Sequence, residues 1–159
     1  MRLAVLVLED EPDVREALER DLETLSTHVR IEPAEDVDDA HEVMREIAAD
    51  GDVLALVLAD HRLPGRTGVD FLIEIAGTEA TSHVATVLVT GQADQQDTIR
   101  AVNEGGLDHY LAKPWDPDEL RQVVRTTLTD VVEELGIDPL PHLLALDGVR
   151  AMELVKRRG

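Results

Sequence analysis

Four largely apolar runs each stop at a polar residue. Leu3–Leu8 runs into Glu9 and Asp10, Val53–Ala59 into Asp60, Val84–Val89 into Thr90, and the short run Tyr110–Ala112 into Lys113. Between these runs the apolar residues recur at helical spacing. Short continuous apolar segments with helical patterns between them read as strands of a parallel sheet, covered on both faces. The pattern predicts five strand–helix units. The first strand spans 3–8, and a helix follows from Pro12 to about 25, with Val14, Ala17, Leu18, Leu22 and Leu25 on one side. Pro12 suits a first turn, where a missing N–H leaves nothing unpaired. A weaker strand, Val29 to Glu32, is expected to end at Pro33.

The second helix reads as Asp36 to Ala49, apolar at Val37, Ala40, Val43, Met44 and Ile47, and is stopped by Asp50-Gly51-Asp52. The third strand covers 53–59, a loop marked by Pro64-Gly65 covers 61–67, and a helix covers about 68–76. A strand at 84–89, a helix at about 94–104 ended by Gly105-Gly106, and a short strand at 108–112 follow. Asp116 then caps a long helix to about Leu135. Right-handed crossovers turn this order into a doubly wound α/β sheet with helices on both faces. Beyond it, Gly136 to Leu143 contains Pro139 and Pro141 and is expected to be irregular. Asp147 caps a last helix, Gly148 to Arg158, with an apolar stripe at Val149, Met152 and Val155. Two readings stand for this tail: a homodimer or partner contact through those three residues, or a helix that packs back on the main domain.

A chain of 159 residues fits one domain with a short appendage. Aromatic residues make up only 2%, so the core must be aliphatic. The net charge is −19, and the first 50 residues hold 16 Asp and Glu against 5 Lys and Arg. Such a surface repels nucleic acid and anionic membranes and suits a partner with a basic face, or simply keeps the chain soluble. Cysteine is absent, which removes disulfides and thiolate chemistry. No apolar run approaches the roughly 20 residues of a membrane span, and the N-terminal run lacks the longer apolar region and cleavage site of a signal peptide. These features point to the cytoplasm.

In open parallel α/β sheets, ligands bind in the crevice at the carboxyl ends of the strands. If the strands are adjacent, Glu9, Asp10, Asp60, Thr90 and Lys113 converge there. Three carboxylates, a hydroxyl and an ammonium make a cation site around one carboxylate open to modification. The lysine is notable because the chain has 13 arginines and only two lysines, Lys113 and Lys156. A compact ammonium suits a single oxygen in a tight site. The histidines, His61 among them, lack zinc-ligand spacing, and His61 reads as a loop residue pointing away from the site.

Four motifs now fall into a known order. Leu8-Glu9-Asp10-Glu11, Leu58-Ala59-Asp60-His61-Arg62-Leu63-Pro64-Gly65, Val89-Thr90-Gly91 and Asp108-His109-Tyr110-Leu111-Ala112-Lys113-Pro114 resemble the receiver domain of bacterial two-component response regulators. The likeness covers about residues 1–128. It leaves 129–159 as the end of the fifth helix, a Pro-containing linker and a C-terminal helical extension. The resemblance implies a flavodoxin-like five-stranded sheet in the order 2-1-3-4-5. It implies that Asp60 accepts a phosphoryl group from a histidine kinase or histidine phosphotransfer protein. Mg²⁺, or equally Mn²⁺, would be held by Glu9, Asp10, Asp60 and the backbone carbonyl of Arg62. Lys113 would pair with Asp60 and then with the phosphoryl group. Thr90 and Tyr110 would form the switch, Arg62 and Gln92 would tune phosphoryl loss, and Pro114 matches a cis-proline position.

A downstream protein target would then bind the altered surface, so the chain would signal rather than turn over a substrate. Many members carry two aspartates where this chain has Glu9-Asp10, and the longer Glu9 would bind through water or shift the ion. Two other readings remain. A pseudo-receiver would keep the fold and signal without phosphate. A phosphatase of the haloacid dehalogenase type would place an acid two residues after its nucleophile, where this chain has Arg62. Nothing after residue 128 is long or basic enough for a helix-turn-helix domain, which disfavours DNA binding.

Overall fold

A computed structural model describes residues 1–91 and 95–159. Five strands, β1 (Leu3–Leu8), β2 (Arg30–Ala34), β3 (Val53–Ala59), β4 (Ala85–Thr90) and β5 (His109–Ala112), form one sheet in the order β2-β1-β3-β4-β5. Every pairing is parallel. Among the described residues, six α-helices surround it: α1 (Pro12–Asp21), α2 (Val37–Ala49), α3 (Gly68–Gly77), α4 (Gln95–Gly105), α5 (Pro117–Leu135) and α6 (Gly148–Arg158). No helix among the described residues is long and apolar enough to cross a membrane.

The sheet is buried on both faces, which explains the continuous rather than alternating apolar runs. β1 is wholly buried along its length. Its odd positions, Leu3, Val5 and Val7, join Leu18 and Leu22 of α1 and Leu120, Val124 and Leu128 of α5 in one core. Its even positions, Ala4, Leu6 and Leu8, join Val43 and Ile47 of α2 and Phe71, Leu72 and Ile75 of α3 in the other. Asp36, Thr67, Asp116 and Asp147 each cap a helix by accepting a hydrogen bond from a backbone N–H of its first turn. Gly136 ends α5 with φ 65°, the left-handed geometry that glycine adopts without strain.

The structure departs from the sequence pattern in three places. Pro33 does not end β2 but pairs with Val7 inside it. β2 is an edge strand, and a missing N–H is tolerated there. The helix expected to reach residue 25 ends at Asp21 and continues as a 3-10 turn, Glu23–Leu25. The segment after Gly136 is partly ordered, with a 3-10 turn over Leu140–Ala145 that buries His142 and Ala145.

The C-terminal extension packs back on the main domain. Ala145, Leu146 and Ala151 are buried in the α1/α5 core, and Leu154 packs against it. The face that docks is not the one the apolar stripe suggested. Val149 is 74% exposed and Met152 47%, whereas Ala151 is fully buried. Ala151 and Leu154 together present the docked face of α6 to that core.

Candidate functional site

The carboxyl ends of β1, β3, β4 and β5 bring together Glu9, Asp10, Asp60, Thr90 and Lys113. Ladder bonds fix their backbones: Glu9 N–H donates to Ala34 O, Asp60 N–H to Leu8 O and Lys113 N–H to Thr90 O, each at 3.0 Å. The carboxylate oxygens of Glu9, Asp10 and Asp60 lie within 4.8 Å of one another. The Lys113 ammonium sits 3.3 Å from Glu9 Oε2 and 3.3 Å from Asp60 Oδ1. Glu9 is fully buried, Asp60 is 5% exposed and Thr90 1%, while Asp10 is half-buried. The Lys113–Pro114 peptide bond is cis.

Three carboxylates against one ammonium leave the cluster in negative excess. Burial, and then the charge of Asp60, push the Glu9 carboxyl up to about 7, against the opposing pull of Lys113 and of the Glu11 N–H. Burial by itself would lower Lys113, but the fields of Glu9 and Asp60 and its hydrogen bonds to both outweigh that and hold the ammonium above its usual range. Clustered hard oxygen donors in negative excess suit a hard divalent cation such as Mg²⁺. The residues present therefore fit the ion that the family implies.

Several supporting residues carry no chemical signature in the sequence. Gly68, at the start of α3, donates its N–H to His61 O at 2.8 Å. A Cβ there would overlap the carbonyl oxygen of Asp60, so only glycine lets α3 press against the end of β3. The signal available was a lone Gly directly after the helix cap Thr67. Arg15 of α1 reaches over to donate to Glu9 O at 2.8 Å. Trp115 donates from its indole N–H to Asp21 at 2.9 Å, tying the end of the Lys113 loop to α1.

Other expected residues take these places. Arg62 is exposed, and its backbone bridges to Thr67 across the Asp60 loop. Tyr110 is 39% exposed on β5, facing outward. Glu11 is exposed at the start of α1 and lies outside the carboxylate cluster. His61 is buried, at 5% exposure. Gln92 lies outside the described residues.

A parallel sheet in this strand order, with acids, a threonine and a lysine at its carboxyl end, defines a receiver. The model of the response regulator receiver domain matches residues 5–125, and the chain belongs to that family. It is 32% identical over 154 residues to the hydrogenase transcriptional regulatory protein HoxA of Cupriavidus necator, a match covering 97% of this chain and 29% of that protein. It is also 32% identical over 152 residues to the phosphate regulon transcriptional regulatory protein PhoB of Escherichia coli K12, covering 89% of this chain and 63% of that protein. Among solved structures, the signal receiver domain of an HD domain-containing protein from Pseudomonas fluorescens Pf-5 superimposes with a TM-score of 0.72 at 26% identity, covering 86% of this chain and 93% of that one. The chain thus spans less than two thirds of the length of these two curated relatives. Receivers are signalling modules, not enzymes of turnover, which sets aside the phosphatase reading.

Proposed function

We propose that this chain is a phospho-accepting receiver in a two-component phosphorelay, with Asp60 as the acceptor. The observation that carries this is the contact of Asp60 with Lys113 at 3.3 Å inside a carboxylate cluster of negative excess. An Asp60 carboxylate oxygen attacks phosphorus of a phosphohistidine on a histidine kinase or phosphotransfer protein. A P–O bond forms as the P–N bond breaks, and the imidazole leaves with its electron pair. Bound Mg²⁺, held by Glu9, Asp10, Asp60 and the Arg62 carbonyl, would neutralise phosphoryl charge. Lys113 orients Asp60 through their 3.3 Å contact, then shifts its ammonium to a phosphoryl oxygen.

The same event sets the switch. Thr90 would turn its hydroxyl to the new phosphoryl oxygens, and Tyr110, outward in this structure, would move into the space left behind. Phosphorylation adds about −1.5 to −2 charge at this point, a large local change in a buried site. The exposed apolar residues Ile99 and Val102 of α4 and Tyr110 of β5 form the surface that a downstream protein would read. Arg62 and Gln92 would tune how fast the phosphoryl group is lost. We assign the activity to residues 1–128, in the cytoplasm, with 129–159 as an appended element. Transcriptional regulation, which the names of the two relatives state, is a whole-protein property and is not assigned to this chain.

Intact mass after incubation with acetyl phosphate and Mg²⁺ tests the reading. One phosphoryl adduct in wild type, absent in Asp60→Asn, is expected. No adduct on a folded, Mg²⁺-binding wild type would instead identify a pseudo-receiver that binds partners without phosphate.

A further inference from the structure

Helix α6 has two faces that treat charge differently. On the inner face, Arg150 pairs with Asp130 at 2.7 Å and Glu133 at 3.0 Å, Arg157 pairs with Glu133 at 3.4 Å, and Arg158 donates to Gly136 O at 3.1 Å. The N-cap Asp147 donates its N–H to the buried Thr129 hydroxyl of α5 at 2.9 Å. Every charge on that face is used within the chain. On the outer face, Val149, Met152, Glu153 and Lys156 are all exposed. At helical spacing these four fall within an arc of about 100°. Among the described residues, Glu153 and Lys156 are the charged residues of α6 without an ion pair in the chain. Lys156 is also one of only two lysines.

We propose that this outer stripe is a seam between two copies of the chain, with the α6 helices antiparallel about a two-fold axis near Met152. The charge pattern selects the occupant. An acidic partner would suit Lys156 but meet like charge at Glu153, and a basic partner would do the reverse. A second copy of the same stripe satisfies both, because a two-fold interface is self-complementary. In that arrangement the Met152 side chains meet at the axis. The aliphatic stem of each Lys156 lies over Val149 of the other copy, and its ammonium reaches toward Glu153 of the other copy. The location fits as well. Residues 136–159 balance Arg150, Lys156, Arg157 and Arg158 against Asp138, Asp147 and Glu153, in a chain of net charge −19. They are therefore the part of the surface where two copies approach with little mutual repulsion. A stripe this short buries less than the roughly 1,000 Å² that stable complexes clear, so the pairing is weak and concentration-dependent.

The seam requires no phosphate on Asp60 and is tested without a phosphodonor. Sedimentation of the full chain up to about 1 mM is expected to show a monomer–dimer equilibrium. Met152→Glu, which leaves the buried Ala151 face untouched, is expected to weaken it about tenfold or more, and Lys156→Glu likewise. Combining Glu153→Lys with Lys156→Glu rebuilds the cross-copy pair and is expected to return the dimer to within roughly threefold of wild type. Far-UV circular dichroism confirms that each variant is folded. A chain that stays monomeric at the highest concentration overturns the proposal. So does a dimer that is indifferent to Met152→Glu or one that is lost instead on Val102→Asp in α4.

Discussion

The two ends of the sheet hold acidic clusters of similar size and opposite character. At the amino end, Arg30 lies between Glu32 at 2.8 Å, Asp50 at 2.8 Å and Asp52 at 3.1 Å, and the Arg2 N–H donates to Asp52 at 2.7 Å. At the carboxyl end, Glu9, Asp10 and Asp60 share one Lys113. The Arg2 backbone N–H, helped by Arg30 and opposed by burial, holds Asp52 below the usual carboxylate range. Burial and Asp60 push Glu9 up to about 7. The first cluster stabilises the fold as it stands, whereas the second is destabilised in the absence of a cation. Acids at strand ends are common, and the opposite shifts here follow from whether donors satisfy the carboxylates, as at Asp52, or leave them buried in negative excess, as at Glu9.

The largest effect is expected from Gly68→Val. The new side chain would overlap the backbone of Asp60, with no flexible neighbour to yield. Urea denaturation should show a loss of about 3 kcal/mol or more, with Mg²⁺ binding lost as well. Gly77→Ala, at the far end of the same helix and in open space, should leave stability within about 0.5 kcal/mol of wild type.

Removing one charge from each cluster should give opposite signs. Without metal at pH 8, Glu9→Gln relieves repulsion and is expected to raise stability by about 1 kcal/mol, while Asp52→Asn lowers it by about 1 kcal/mol through lost hydrogen bonds. With Mg²⁺ present the gain for Glu9→Gln should shrink or reverse, because the ion stabilises only the protein that binds it.

The pH dependence follows from the same contrast. Folding raises Glu9 from about 4.5 to about 7, so the folded state binds more protons between those values. Metal-free stability should therefore fall as pH rises through that window, by up to about 1.4 kcal/mol per unit from this group. Glu9→Gln should flatten the slope. Asp52 is depressed, so its contribution is present above its unfolded value near 3.8 and is lost as pH falls through its lower folded value. Mg²⁺ affinity should weaken by up to about tenfold per unit below pH 7, as protons compete for Glu9.

The most local effect is expected at the extension. Thr129→Val leaves the Asp147 N–H without its buried acceptor and should lower stability by about 1 kcal/mol, with faster hydrogen exchange confined to 140–158.

The central strands were legible because burial on both faces leaves a continuous apolar run, as in Leu3–Leu8 and Val53–Ala59. Asp60, Thr90 and Lys113 were legible because each follows such a run directly, and Asp10 because it follows one residue later, so their meeting depended only on strand order. The rest depended on neighbours that a linear pattern does not carry. Pro33 fits inside β2 because that strand is at the edge, a fact of topology. The docking face of α6 is chosen by α5, which accepts the small Ala151 and leaves the larger Val149 and Met152 outside. Gly68 has no chemistry of its own and matters through the atoms that press on it. The complete burial of Glu9, and with it the rise in its pKa, also emerged only from packing.

The most direct test locates the phosphoryl group. Borohydride reduction of the phosphorylated chain converts an acyl phosphate to an alcohol, and peptide mass mapping reads its position. Conversion at Asp60 alone is the predicted result. Conversion at Asp10 or Glu9, or none in a chain that has taken up phosphate, would contradict the assignment of Asp60 as the acceptor.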